Sequence, residues 1–244
     1  MHNYKMTVQY DGTRYSGWQR QGNTSSTIQG RLEQTLSRLL EEPISVSGSG
    51  RTYGGVHALG QIANFRTEKF LSCKEFRDRL NAVLPEDIYV SDLRLAGERF
   101  HARLSAKEKV YRYTIENGPE RNVFARKYVY HVAEPLDSDK MTQAAHLLLG
   151  THDFRGYSTG HTKKSTVRHL STIELRREGE NLTLTFTGNG FLYNMVRILT
   201  GTLIEVGLGQ RTPDSVLTAL ESGIRTDAGF TAPPHGLCLL EVRY

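Results

Sequence analysis

The sequence predicts an α+β chain whose sheet is mainly antiparallel and laid out as two similar halves. Strand-like and helix-like periods alternate along all 244 residues. Strand runs follow one another closely, as at 167–176 and 182–187 about a turn at 178–181. No Pro-, Gly- or Ser-rich linker divides the chain, although the strand–helix pattern restarts after residues 103–107. The expected halves are therefore 1–104 and 105–244, sharing a sheet or a broad interface.

Each element has a local reason. Residues 5–10 are β-rich and end at the turn pair Asp11-Gly12. Thr27 caps a helix whose Ile28, Leu32, Leu36, Leu39 and Leu40 fall on one face. A short strand at 44–47 runs into the glycine-rich stretch Gly48-Ser49-Gly50-Arg51-Thr52-Tyr53-Gly54-Gly55. A strand at 61–65, a helix at 74–84 stopped by Pro85, and a strand at 88–95 complete the first half. In the second half, 109–116 is a strand with Tyr111 and Tyr113 on one face, followed by another at 128–132. Ser138 caps a helix carrying Met141, Ala145, Leu148 and Leu149, which Gly150 closes. After the paired strands come a long helix over 191–206, a helix begun by Thr212-Pro213, and a closing strand at 236–244.

Composition narrows the class of protein. The apolar set is 38% and charged residues are 23%, which excludes a disordered or fibrous chain. Net charge is 31 − 26 = +5 and the pI about 9.2, which points to an anionic partner, nucleic acid first, while charge alone fits a plain basic enzyme equally well. Cys73 and Cys238 lie far apart and form no C-x-x-C, so neither a disulfide framework nor a zinc ribbon is indicated. The N-terminus lacks the apolar stretch of a signal peptide. Arg197 and Glu205 interrupt the most apolar segment, 190–209, so it reads as a buried helix. The expectation is a reduced, cytoplasmic protein with no membrane association and no metal, since His57, His101 and His152-Asp153 have no partner at ligand spacing.

Three features carry the candidate chemistry. The glycines of 48–55 allow tight turns and close approach of a ligand, and Arg51 and His57 are expected in the same loop. The run fits neither G-x-G-x-x-G nor G-x-x-x-x-G-K-[ST], which disfavours a nucleotide-binding enzyme. Arg197 is the sole charge between Phe191 and Ile204, and a guanidinium there needs a carboxylate, a phosphate or carbonyls unless it reaches the helix edge. Basic and aromatic residues interleave at Arg14-Tyr15, Trp18-Gln19-Arg20, 107–113, Arg126-Lys127-Tyr128 and 161–169, as looped RNA requires.

Taken in order, these segments resemble the tRNA pseudouridine synthase A family over the whole chain. The matching pieces run from Tyr10-Asp11-Gly12-Thr13, Gly17-Trp18-Gln19 and Gly50-Arg51-Thr52 to Gly55-Val56-His57-Ala58 and Phe100-His101-Ala102-Arg103. They continue through Lys109-Val110-Tyr111-Arg112-Tyr113, Asn194-Met195-Val196-Arg197 and Ala232-Pro233-Pro234. The resemblance implies a pseudouridine synthase fold of two ferredoxin-like halves, a homodimer without cofactor or metal, and tRNA as partner. It implies an isomerase for uridines of the anticodon stem-loop, breaking the N1–C1′ bond, turning the base and rejoining it through C5, with the base flipped out. In the family's R-T-D-x-G-V-H-A motif the Asp is the nucleophile. Arg51 would help hold the flipped nucleotide, Tyr111 would pack on the base, and Arg197 would pair with the Asp. With these, His57, Arg14, Lys109 and Arg103 form the expected substrate-binding set.

Position 53 departs from that motif, with Tyr53 standing where the family has its Asp. A phenol of ordinary pKa near 10 replaces a carboxylate, and although Arg51 and Arg197 would favour its anion, the ring is larger and its oxygen lies farther from the backbone. Where the pair is buried, Arg197 without an anion costs roughly 3–5 kcal/mol. The expectation is a synthase crippled at position 53, against a tRNA-binding protein or RNA chaperone without isomerase activity. A second Arg-Thr-Asp-Ala-Gly at 225–229 lacks the following V-H-A and reads as chance.

Overall fold

A computed structural model of the chain describes residues 1–160 and 164–244, so His161 and Lys163 of the basic cluster lie outside the described residues. The chain forms two compact units, Met1–Lys107 together with Cys238–Tyr244, and Glu108–Leu237.

In the first unit, β1 (His2–Tyr10) alternates strictly enough to bury Tyr4, Met6, Val8 and Tyr10 on one face. Helix α1 (Ile28–Leu40) begins where Thr27 Oγ1 accepts the Gly30 N–H at 3.2 Å, and it buries Ile28, Leu32, Leu36 and Leu40. Then follow β2 (Val46–Gly48), β3 (His57–Thr67), α2 (Cys73–Asn81) and β4 (Ile88–Ala96). β1 lies between β3 and β4, antiparallel to both, and β2 pairs antiparallel with β3. Helix α2 ends short of the expected residue 84: the Asn81 side chain turns to the backbone of Val90, donating to its carbonyl and accepting its N–H, both at 2.8 Å. β3 starts four residues earlier than periodicity suggested: past a register shift β1 pairs with it back to Ala58, and the far end of the chain adds a partner at His57 and Ala58.

The second unit opens with β5 (Glu108–Asn117) and β6 (Tyr130–Val132), which run parallel. Helix α3 (Ser138–Leu147) follows, capped by Asp137 rather than by Ser138, then β7 (Gly150–Asp153), β8 (Val167–Glu178) and β9 (Asn181–Gly188). β9 lies between β5 and β8, and β7 pairs with the other side of β8, all antiparallel. Helices α4 (Met195–Gly207) and α5 (Ser215–Ser222) complete the unit. α4 is buried on nearly every side, as its apolar sequence requires, and its Gly201 lets the Phe230 carbonyl oxygen come within 1.9 Å of where a Cβ would stand. The helix begins at Met195, not 191, because Asn194 adopts a left-handed φ of 58°. The closing strand β10 (Leu237–Arg243) returns to the first unit, parallel to β3, with Cys238 opposite His57 and Leu239 opposite Ala58. Among the described residues, no helix is long and apolar enough to cross a membrane.

Candidate active site

The glycine-rich stretch leaves β2 at Gly48 and rejoins the sheet at His57, so it is a loop pinned at both ends to β3. Its inner side rests on a buried polar network. The Gln61 amide nitrogen donates to Tyr10 Oη at 3.3 Å and to the Gly50 carbonyl at 3.0 Å, while its oxygen accepts from Ser49 Oγ at 2.6 Å. The Tyr10 and Thr52 hydroxyls share a hydrogen bond at 2.8 Å. Desolvation holds the Tyr10 phenol well above the ordinary tyrosine range, so it remains neutral.

The outer side is clasped by residues 12–18. The Trp18 N–H donates to the Thr52 carbonyl at 3.0 Å, the Gly55 N–H donates to the Gly12 carbonyl at 3.2 Å, and Gly17 bridges Tyr53. Gly17 has φ 102°, and a Cβ there would stand 2.7 Å from the Thr52 oxygen, so only glycine lets the two segments meet. Tyr53 is half-buried between these contacts and the turn closed by Val56 N–H to Tyr53 O at 3.1 Å. The residue before it is locked on three sides, which fixes where side chain 53 leaves the backbone.

Around this loop the structure sorts the expected residues. Arg51 is exposed at the loop's edge. His57 is not in the loop, as the sequence suggested, but is the first residue of β3 and only 6% exposed. Its Nδ1 accepts the Gly12 N–H at 3.1 Å and lies 3.2 Å from Asp11 Oδ1, so the ring ties the 11–14 turn to the sheet. Asp11 orders that turn further by accepting from Thr13 N–H at 2.9 Å. Arg14 forks onto Asp87 Oδ2 through Nε and Nη2 at 3.1 and 2.7 Å, and Tyr15 donates to Asp87 Oδ1 at 2.6 Å. Arg103 is exposed in a turn anchored where Asn64 Oδ1 accepts the Ala102 N–H at 2.9 Å. Asn64 adjoins Ala63, the residue opposite Gly48, so this turn springs from the stretch of β3 where the motif loop begins.

The second unit gathers Lys109, Tyr111 and Arg197. Lys109 and Tyr111 share one face of β5, and the Tyr111 ring meets Phe191 edge-on at 5.2 Å. Arg197, in the first turn of α4, donates from Nε to the Ala232 carbonyl at 2.6 Å and from Nη1 to Asn194 Oδ1 at 3.1 Å. Tyr113 donates to the adjoining Pro233 carbonyl at 2.7 Å, so Arg197 and the β5 tyrosines are joined through one short segment. The expectation of a guanidinium stranded without an anion is thereby softened, since carbonyl and amide oxygens take two of its donor positions. Both contacts come from loops whose arrangement the helical period of 191–206 did not reveal. Tyr10, Ser49, Thr52 and Gln61 were also not identified as a network. Their signal was a polar Gln on the apolar face of β3, in line with Ala63 and Phe65. In the second Arg-Thr-Asp, Asp227 accepts from Ser222 Oγ at 2.6 Å and Arg225 donates to the Gly229 carbonyl at 2.8 Å, so the motif closes its own turn after α5.

A glycine-rich loop mounted on strands of the first unit, and an aromatic and an arginine carried on a strand and a helix of the second, are features that comparison with known proteins makes explicit. The family model for tRNA pseudouridine synthase matches residues 6–104 and 144–244, and the chain belongs to that family. Among its relatives, tRNA pseudouridine synthase A of Bacillus sp. (strain KSM-64) is 47% identical over 98% of each chain. The protein of that name from Geotalea uraniireducens (strain Rf4) is 46% identical over the full length of both. A tRNA pseudouridine synthase A 2 of Clostridium perfringens (strain 13 / Type A) is 41% identical, also over both full lengths.

Proposed function

We propose that this chain engages uridine in the anticodon stem-loop of tRNA as a homodimer, and that Tyr53 at the nucleophile position removes most of its isomerase turnover. The observation that carries this is local. The loop around position 53 is built in full, from the Tyr10–Thr52 bond to the Gly17 clasp, yet the side chain it presents is a phenol. At neutral pH an ordinary carboxylate is almost wholly ionised, whereas a phenol of pKa about 10 is ionised in about one molecule per thousand. The longer ring also moves the oxygen away from the point at which the backbone aims position 53, and misplacement of about 1 Å costs on the order of a hundredfold.

In this reading Arg51, exposed at the loop edge, holds the extruded nucleotide, and Tyr111 packs on its base. Arg197 supplies positive charge near the base, Lys109, Arg103 and Arg14 approach the phosphates, and His57 keeps the 11–14 turn in place. The deciding experiment compares pseudouridine formation on tRNA by the chain as it stands and by Tyr53→Asp. We expect at least a hundredfold more product from the Asp form. Equal, efficient turnover by the Tyr form would overturn the account of position 53. Tight tRNA binding with no turnover by either form would favour an RNA-binding protein.

A further inference from the structure

The family match stops at residue 104 and resumes at 144, and the intervening stretch contains a feature that the catalytic reading leaves unused. Between β5 and β6 the chain makes a turn over 118–129. At its base a His131 ring N–H donates to the Gly118 carbonyl at 2.9 Å. Buried Glu116 accepts the Asn122 N–H at 3.1 and 3.2 Å, and Asn122 Oδ1 in turn accepts the Phe124 N–H at 3.0 Å. The Tyr128 N–H closes the far side on the Ala125 carbonyl at 2.8 Å. This well-bonded scaffold holds Phe124 out at 89% exposure, above every other large apolar side chain among the described residues, with Val123 and Tyr128 about half exposed beside it.

The surroundings of Phe124 say what it faces. Exposed Arg121, Arg126 and Lys127 bracket it in the chain, against Glu120, so residues 118–129 carry 3 − 1 = +2, while the acids Glu116 and Glu180 lie at the base of the turn. Arg126 Nη1 also donates to the Val123 carbonyl at 2.6 Å, which ties that guanidinium to the backbone next to Phe124. An exposed aromatic flanked along the chain by cations suits a stacked base between phosphates. A second copy of the same patch is disfavoured by the repulsion of like charges.

We propose that the 118–129 turn is a second RNA-contact surface, on which Phe124 stacks against an unpaired base while Arg121, Arg126 and Lys127 lie along the flanking phosphates. The proposal rests on the tRNA reading above and deepens it by adding a contact remote in sequence from the motif loop. Because the bonded backbone already holds the turn, little ordering entropy opposes the contact.

The test uses the full chain and a tRNA transcript, with binding measured across a salt series and sedimentation run in parallel. Phe124→Ala should weaken binding on the order of tenfold with an unchanged salt slope, and Phe124→Trp should retain it, since stacking of this kind is sequence-tolerant and depends on the ring. The double change Arg121→Gln with Lys127→Gln should flatten the salt slope by about one to two phosphate contacts. Wild-type affinity in Phe124→Ala, with its melting temperature unchanged, would overturn the proposal alone. Loss of a dimer in Phe124→Ala with unchanged RNA affinity per protomer would overturn it in favour of a protein contact. Failure of the unaltered chain to bind tRNA would overturn the functional reading as well.

Discussion

At residue scale the site is set less by position 53 than by what surrounds it. Thr52 is held by Tyr10, and Tyr10 by Gln61, in a stretch with almost no access to water. Removing one hydroxyl from such a network leaves its partners unsatisfied, which costs about 1–3 kcal/mol. Tyr10→Phe is therefore expected to lower unfolding stability by that amount in a denaturant titration, and in a Tyr53→Asp background to reduce turnover further. A stability equal to the parent would show that water takes over the lost bond. The sequence made parts of this visible: the glycine run, the arginine in an apolar helix and the unusual Tyr53 could all be read directly. The supporting network could not, because Tyr10, Ser49 and Gln61 come from separate strands and loops, and only strand register brings them together. The position of His57 shows the same limit, since the strand residue opposite it is Cys238, 181 residues further on (238 − 57).

At the scale of elements, boundaries followed side-chain chemistry that periodicity does not encode. Thr27 was legible as a cap because a cap is a local pattern, whereas the end of α2 and the start of α4 depend on asparagines whose roles are conformational. The join between β2 and the motif loop is equally specific. A Cβ on Gly48 would stand 2.5 Å from the indole of Trp18, which is 1% exposed. Gly48→Ala should thus displace the indole at a cost of about 1–3 kcal/mol, the range for overpacking. Because the chain has one tryptophan, its intrinsic fluorescence reports the shift directly. An unaltered emission spectrum and melting curve would mean that the loop moves instead.

For the whole molecule, burial of phenols makes stability depend on alkaline pH. Tyr10, Tyr113 and Tyr157 are all held above the ordinary tyrosine range, chiefly by desolvation. A group whose folded pKa is raised contributes stability that is fully present below its unfolded pKa, here about 10, and lost as pH rises beyond it. The melting temperature should hold up to about pH 9 and fall steeply above about pH 10; a flat profile there would mean that these hydroxyls ionise without unfolding the chain. The fold class and the alternation of elements were legible from the sequence, because hydrophobic period is a local property. The return of β10 to the first unit was not, because nothing in residues 238–244 names their partner. That return has a consequence for how the protein is made. Synthesis runs from the N-terminus, so the strand that covers the start of β3 leaves the ribosome only after the whole second unit. The first unit, begun earliest, is completed only once the second has been made. A chain ending at residue 236 should therefore leave the segment around His57 open to protease, with the second unit resistant. Equal resistance of both would show that the first unit closes without its final strand.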